Sequence, residues 1–282
     1  MVTSLEYALW LDFGLFVVTS ALFVYVFMSS TITRLHKVYL TFHACLLMWP
    51  LSQFAVETTD DPFYQAFYLK IGFAGISVVG VAWTIFAIFL SGHSYLLNRR
   101  SMTALAIPTI AVVILILLNP SGLFMKPTGT DYAEREYGPI FWVMVAIQII
   151  YLAMSSALFM RTSRDNAAPR HRRQVQMAIT GMIILVVFAL ADTFVNVIID
   201  DQLPTISGLT SFGILFSVIY FVIAIRRYGV FDVVRIAQVN VVDSMSTGVA
   251  VLDDHDVVLE TNRVFRRLFD IRTGDRLRIE TL

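Results

Sequence analysis

Charge is scarce in this chain. Asp, Glu, Lys and Arg make up 15% of its 282 residues, against about a quarter in an ordinary soluble domain. With 57% hydrophobic residues and a mean hydropathy of +0.72, a single soluble core is excluded, because the apolar residues fall in long runs that suit lipid. Basic and acidic residues balance at 21 each, so bulk charge points to no nucleic-acid partner. Cysteine is nearly absent: Cys45 alone cannot form an internal disulfide. The N-terminal tail holds Glu6 and no Lys or Arg, so it lacks the basic start of a cleavable signal peptide, and the first apolar run reads as a retained span.

Seven runs are long enough to cross a bilayer core that takes about 20 apolar residues per helix. They cover residues 7–28, 38–56, 64–90, 102–118, 140–160, 175–199 and 205–225. The fourth is the shortest and carries Pro108, which neighbouring helices can accommodate in a membrane. The predicted fold class is an all-α membrane protein, a seven-transmembrane helix bundle.

The loops alternate in sign. Arg34, Lys37, Arg99, Arg100, Arg161, Arg164, Arg170, Arg172, Arg173, Arg226 and Arg227 lie on one side. Glu57, Asp60, Asp61, Asp131, Glu134, Glu136, Asp200 and Asp201 lie on the other, where Lys70, Lys126 and Arg135 are the basic residues. The positive-inside rule then puts the N-terminus outside and the C-terminus in the cytoplasm of a multi-pass plasma-membrane protein. Trp10, Trp49 and Trp142 fall towards span ends, where aromatic belts form. Outer loops are short apart from 119–139, so a signal must enter through the bundle or its outer rim.

Beyond Arg227 the composition turns polar. In residues 231–246, Phe231, Gln238 and Met245 repeat at seven residues, as do Val234 and Val241, giving an a/d seam of about two heptads. An amphipathic helix on the bundle or membrane surface is the plainer reading. Residues 248–253 and 257–261 read as strands around a turn at 254–256, and Asn262 caps a short helix bearing Val264, Phe265, Leu268 and Phe269. So small a unit cannot enclose a core, and the chain is expected to stop inside a domain.

Three pieces carry a family resemblance: the third span YLKIGFAGISVVGVAWTIFAI, Glu57 closing the second, and the junction YGVFDVVRIAQVNVVDSMSTGVAVLDDHDVVLETN. Together they resemble the N-terminal seven-transmembrane region of prokaryotic sensor histidine kinases, of the type followed directly by a PAS domain. Gly80, Arg235 and Thr247 depart from the family's usual residues. The resemblance implies a sensor domain at 1–227, a cytoplasmic signalling helix at 228–246 and the partial α/β start of a PAS-like domain at 247–282. It implies a transmembrane signal receptor that relays an outer-side or intramembrane stimulus. The implied partners are the lipid bilayer, a second copy through the signalling helix, a small-molecule or lipid ligand, and a downstream kinase domain with its response regulator.

Catalytic parts are missing from these residues. None of His36, His43, His93, His171 and His255 precedes a Glu as a phosphoacceptor histidine does, and neither Gly-rich nucleotide boxes nor GGDEF occurs. A diguanylate cyclase sensor and a small-molecule transporter or channel are the alternatives. Residues 205–225 hold no lysine for a retinal Schiff base, and the DRY and NPxxY patterns of G-protein-coupled receptors are absent.

Ionisable groups at membrane depth are costly and mark candidate sites. Asp12, Glu57, Lys70 and Asp192 fall in the outer thirds of their spans, with Asn196 one turn from Asp192 and Gln53 one turn from Glu57. Trp49, Tyr64, Tyr68, Gln148 and Tyr151 are candidates to line the same cavity. Lys70 is expected to pair with Glu57, Asp12 or Asp192 at a ligand-binding mouth. The plainer reading is an ion cluster that fixes helix packing. Phe231, Val234, Gln238, Val241 and Met245 are the candidate signal-relay positions. His43 and Cys45 lack metal-ligand spacing, so no metal is expected, and no cofactor is identifiable.

Overall fold

The structure, a computed structural model, describes residues 2–28, 33–127, 135–164, 169–198, 208–228, 245–252, 256 and 258–269. It divides into two compact units, Met1–Phe231 and Asp232–Leu282. Among the described residues the first unit contains seven long helices: α1 (Val2–Met28), α2 (Arg34–Glu57), α3 (Pro62–Leu90), α4 (Arg99–Leu118), α5 (Pro139–Arg164), α6 (Pro169–Thr193, prolonged by a π-helical turn Phe194–Ile198) and α7 (Leu209–Tyr228).

All except α2 are long and apolar enough to cross a membrane. At 24 residues α2 has the length, but His36, Lys37, His43, Ser52 and Gln53 dilute its apolarity. Its interior position accounts for that tolerance: Leu35, His36, Tyr39, Phe42, His43, Leu46, Trp49 and Val56 are all buried. A helix wrapped by its neighbours presents little surface to lipid and can afford polar residues.

Local chemistry sets the helix ends. Thr33 caps α2 by accepting from the His36 amide at 3.2 Å, and Asp61 caps α3 by accepting from the Phe63 amide at 2.8 Å with Pro62 at the first position. Asn98 and Ser101 form a reciprocal capping box on α4. Between helices, small residues let backbones approach closely. A Cβ on Gly72 or Gly75 of α3 would stand 2.9 Å from Ser52 Cβ or Met48 Cβ of α2, and one on Gly80 would collide with Gln148 of α5. A Cβ on Gly213 of α7 would likewise stand 2.6 Å from Phe188 Cβ of α6.

The core is aromatic. Phe221 of α7 sits among Tyr39, Phe42, Trp83 and Phe86, with ring centroids 5.7, 5.5, 5.6 and 6.4 Å away. Trp83 also donates from its indole N–H to Ser155 Oγ of α5 at 3.0 Å. Trp49 does not join an interfacial belt: it is buried, edge-on to Phe73 at 5.1 Å. Trp10, about two turns into α1, and Trp142, in the first turn of α5, are exposed.

The long loop after α4 carries structure that hydropathy does not reveal. Strands β1 (Met125–Pro127) and β2 (Arg135–Tyr137) pair antiparallel, with Met125 opposite Tyr137. Asn119, in the left-handed conformation at the end of α4, fastens the turn. Its Oδ1 accepts from the Phe124 amide at 2.9 Å and its Nδ2 donates to the Met125 carbonyl at 2.9 Å. Phe124 and Met125 are fully buried, and Phe124 packs on Phe73 at 5.2 Å. The hairpin is therefore docked on α3 and α5.

In the second unit, β3 (Ala250–Leu252) and β4 (Val258–Thr261) pair antiparallel with an irregularity at Val251–Leu252, followed by the helix Arg263–Phe269. Asn262 caps that helix as expected: its Oδ1 accepts from the Phe265 amide at 2.9 Å and from the Val249 amide at 2.9 Å. Of the relay positions, Phe231, Val234, Gln238 and Val241 lie outside the described residues; Met245 is exposed.

Candidate input site at the acidic end of the bundle

The start of α1, the end of α2, the end of α6 and the start of α7 bring carboxylates and hydroxyls to one end of the bundle. Asp12 of α1 is buried, and its Oδ1 accepts from Ser211 Oγ of α7. Asp192 of α6 accepts from two donors: Asn196 Nδ2 at 2.7 Å and Thr210 Oγ1 of α7 at 2.9 Å. The Asp192–Asn196 bond spans one helical turn into the π-helical segment, so the face predicted from their spacing is real. Two adjacent residues of α7 thus hold two carboxylates from α1 and α6.

Charge is unevenly compensated here. Asp12 lies in the repulsive fields of Asp192 and of Glu57 at the end of α2. Glu57 Oε2 is buried and has no hydrogen-bond partner among the described residues. The attractive field reaching Asp192 comes from Arg135 of β2. Arg135 donates from Nε to the Tyr137 hydroxyl at 2.7 Å and lies 5.7 Å from that ring's centroid, while Tyr137 stacks on Phe141 at 4.2 Å. The hairpin thereby aims a cation at an acidic cluster.

Of the residues singled out by sequence, the structure gathers Asp12, Glu57, Asp192 and Asn196. Lys70 is partly buried on α3, and no ion pair within 4.0 Å joins it to any of those carboxylates. Gln53 is partly buried one turn below Glu57, and Trp49 packs on Phe73. Tyr64 is half-exposed and stacks loosely on Tyr68 at 6.4 Å. Gln148 and Tyr151 serve a different seam. Gln148 donates to the Ser77 carbonyl at 2.9 Å; the Tyr151 hydroxyl meets Thr109 Oγ1 at 3.0 Å and the Leu105 carbonyl at 2.5 Å. They fasten α5 to α3 and α4. Among the described residues no three His, Cys, Asp or Glu side chains converge as metal ligands.

Sequence reasoning missed Ser211, Thr210 and Arg135. Hydroxyls near span ends carry no distinctive signal. Arg135 registers in the sequence only as a basic residue on the acidic side, although that exception is itself a clue to a paired function.

Residues 13–234 match the family described as the N-terminal 7TM region of histidine kinase. The chain belongs to that family. No curated protein matches it. As a histidine kinase 7TM region, it is a multi-pass membrane sensor module, and its matched stretch runs from α1 through α7 to residue 234, taking in the three gathered polar residues Glu57, Asp192 and Asn196 and ending beyond Arg226 and Arg227. Asp12 lies one residue before the match begins.

Proposed function

We propose that this region receives its stimulus at the outer end of the bundle and passes it through α7 to a cytoplasmic output, with α2 as the seventh span. The observation that carries the reading is the paired attachment of Ser211 and Thr210, at the start of α7, to Asp12 and Asp192. A ligand or lipid headgroup that engages either carboxylate competes with an α7 hydroxyl. That gives it differential affinity for two helix arrangements, which is what a signal requires. Charge segregation supports an outside N-terminus and a cytoplasmic C-terminus. The residues after α7 serve as a signalling helix joining two copies, and the β3–β4 unit as the start of a PAS domain. The carboxylates favour an outer-side ligand with a cationic or hydrogen-bond-donating group, and the Arg135 cation beside them favours one that is zwitterionic or strongly dipolar.

The test is autophosphorylation of the full-length kinase in native membranes. Asp192→Asn and Thr210→Val should each change basal output by about fivefold or more, the scale of ordinary allosteric coupling energies. Unchanged output in both variants, with normal membrane levels, overturns the reading.

A further inference from the structure

At mid-bundle, two polar side chains on different helices are buried without satisfaction. His43 of α2 and Ser217 of α7 have no exposed surface, and neither the His43 ring nitrogens nor Ser217 Oγ have a hydrogen-bond partner among the described residues. The Thr19 carbonyl of α1 interacts with the His43 ring, but outside hydrogen-bond geometry. Buried polar groups in native interiors are normally paired, so orphans on facing elements call for an explanation.

The two orphans lie at one level. Because Glu57 at the end of α2 and Ser211 at the start of α7 both neighbour Asp12, the helices run antiparallel. Tyr39 and Phe221 meet across them at 5.7 Å. One turn towards the acidic end from that contact is His43 on α2 and Ser217 on α7. His43 stands edge-on to Tyr39 at 5.6 Å and to Phe23 of α1 at 5.5 Å, so rings surround the imidazole on two sides.

We propose that α7 has two seats against α2: the present one, in which Ser217 and His43 are unmated, and a second in which they share a hydrogen bond. Phe221 is the bearing, since flat ring faces allow small displacements without breaking polar contacts. The tethers at Ser211 and Thr210 decide the seat from one end, and Arg226–Arg227 follow at the other. Interiors respond in discrete steps because close packing resists gradual deformation, so an orphan pair on adjacent helices is a natural second minimum.

Spin labels at Lys37 and Arg227, both exposed, measure the α2–α7 separation in the intact chain, on a Cys45→Ser background in lipid nanodiscs. Two interspin distances are expected. Ser217→Ala and His43→Phe should each abolish the same one, and Ser217→Thr, which keeps a hydroxyl, should retain both. A single distance in the parent chain, loss of different distances in the two variants, or identical behaviour of the Ala and Thr variants at 217 overturns the proposal. Should His43→Phe fail to insert, the Ala–Thr contrast at 217 decides alone. The readout needs no kinase output, so its failure is separate from failure of the input-site reading.

Discussion

Asp12 and Ser211 stand 199 residues apart and share a hydrogen bond that closes α1 onto α7. The bond is buried, a setting in which removing one partner costs more than the bond itself contributes. Ser211→Ala leaves the Asp12 carboxyl buried without its donor and should destabilise the bundle by about 1–3 kcal/mol. Replacing both with apolar residues (Asp12→Leu with Ser211→Ala) should recover most of that loss. Unfolding in mixed micelles of increasing denaturing detergent measures the difference. Equal loss in the single and double variants would show that Asp12 is held by other contacts.

Gly138 closes the hairpin onto α5 with no room for a side chain. A Cβ there would fall on the Leu123 carbonyl oxygen and lie 2.7 Å from the carbonyl carbon, both backbone atoms that cannot swing aside. Gly138→Ala should therefore undock β1–β2, withdraw the Arg135 cation from Asp192 and make the 119–139 loop sensitive to protease added outside. Gly14→Ala is the control, because a Cβ there meets nothing within 4 Å. Cleavage of the Gly138 variant within minutes, against resistance of the Gly14 variant, is the expected pattern.

What the sequence made legible follows from which physical signals are local. Helix positions came from apolar runs, the Asn262 cap from side-chain chemistry one turn long, and the Asp192–Asn196 face from helical spacing. The Asp12–Ser211 and Asp192–Thr210 bonds depend on which helices become neighbours, a tertiary fact that no residue advertises. The same gap explains the assignment of Gln148 and Tyr151 to the outer cavity. Both are polar, with Tyr151 buried and Gln148 partly buried, but their partners Ser77, Leu105 and Thr109 belong to α3 and α4. Lys70 illustrates the converse, since opposite charge at similar depth suggested a pair while its position on α3 leaves it out of ion-pair reach.

The polar composition of α2 makes its crossing the part of the topology most worth measuring. Alkaline phosphatase, active outside, and a fluorescent protein, bright inside, can be fused after Ser30, Thr59, Asn98 and Thr130 in turn. Fluorescence is expected at Ser30 and Asn98 and phosphatase activity at Thr59 and Thr130. If Ser30 and Thr59 report the same side, α2 does not cross and the helices after it reverse orientation.

Phe221 offers the clearest separation between packing and lipid exposure. Its ring is 2% exposed and touches four aromatic side chains, whereas Phe216 on the same helix is 43% exposed and contacts Phe188 at 5.9 Å. Truncation at 221 empties a volume that rigid rings from α2 and α3 cannot refill, so Phe221→Ala should cost about 3–5 kcal/mol, the range for large aromatic deletions in packed interiors. At 216 acyl chains flow into the space that the ring leaves, and apolar surface gains no solvent contact, so Phe216→Ala should cost less than about 1 kcal/mol. Detergent-denaturation midpoints of the two variants, compared with Phe221→Leu, test this. The leucine variant should fall between them, because it keeps the apolar volume near the helix while losing the edge contacts with Phe42 and Tyr39.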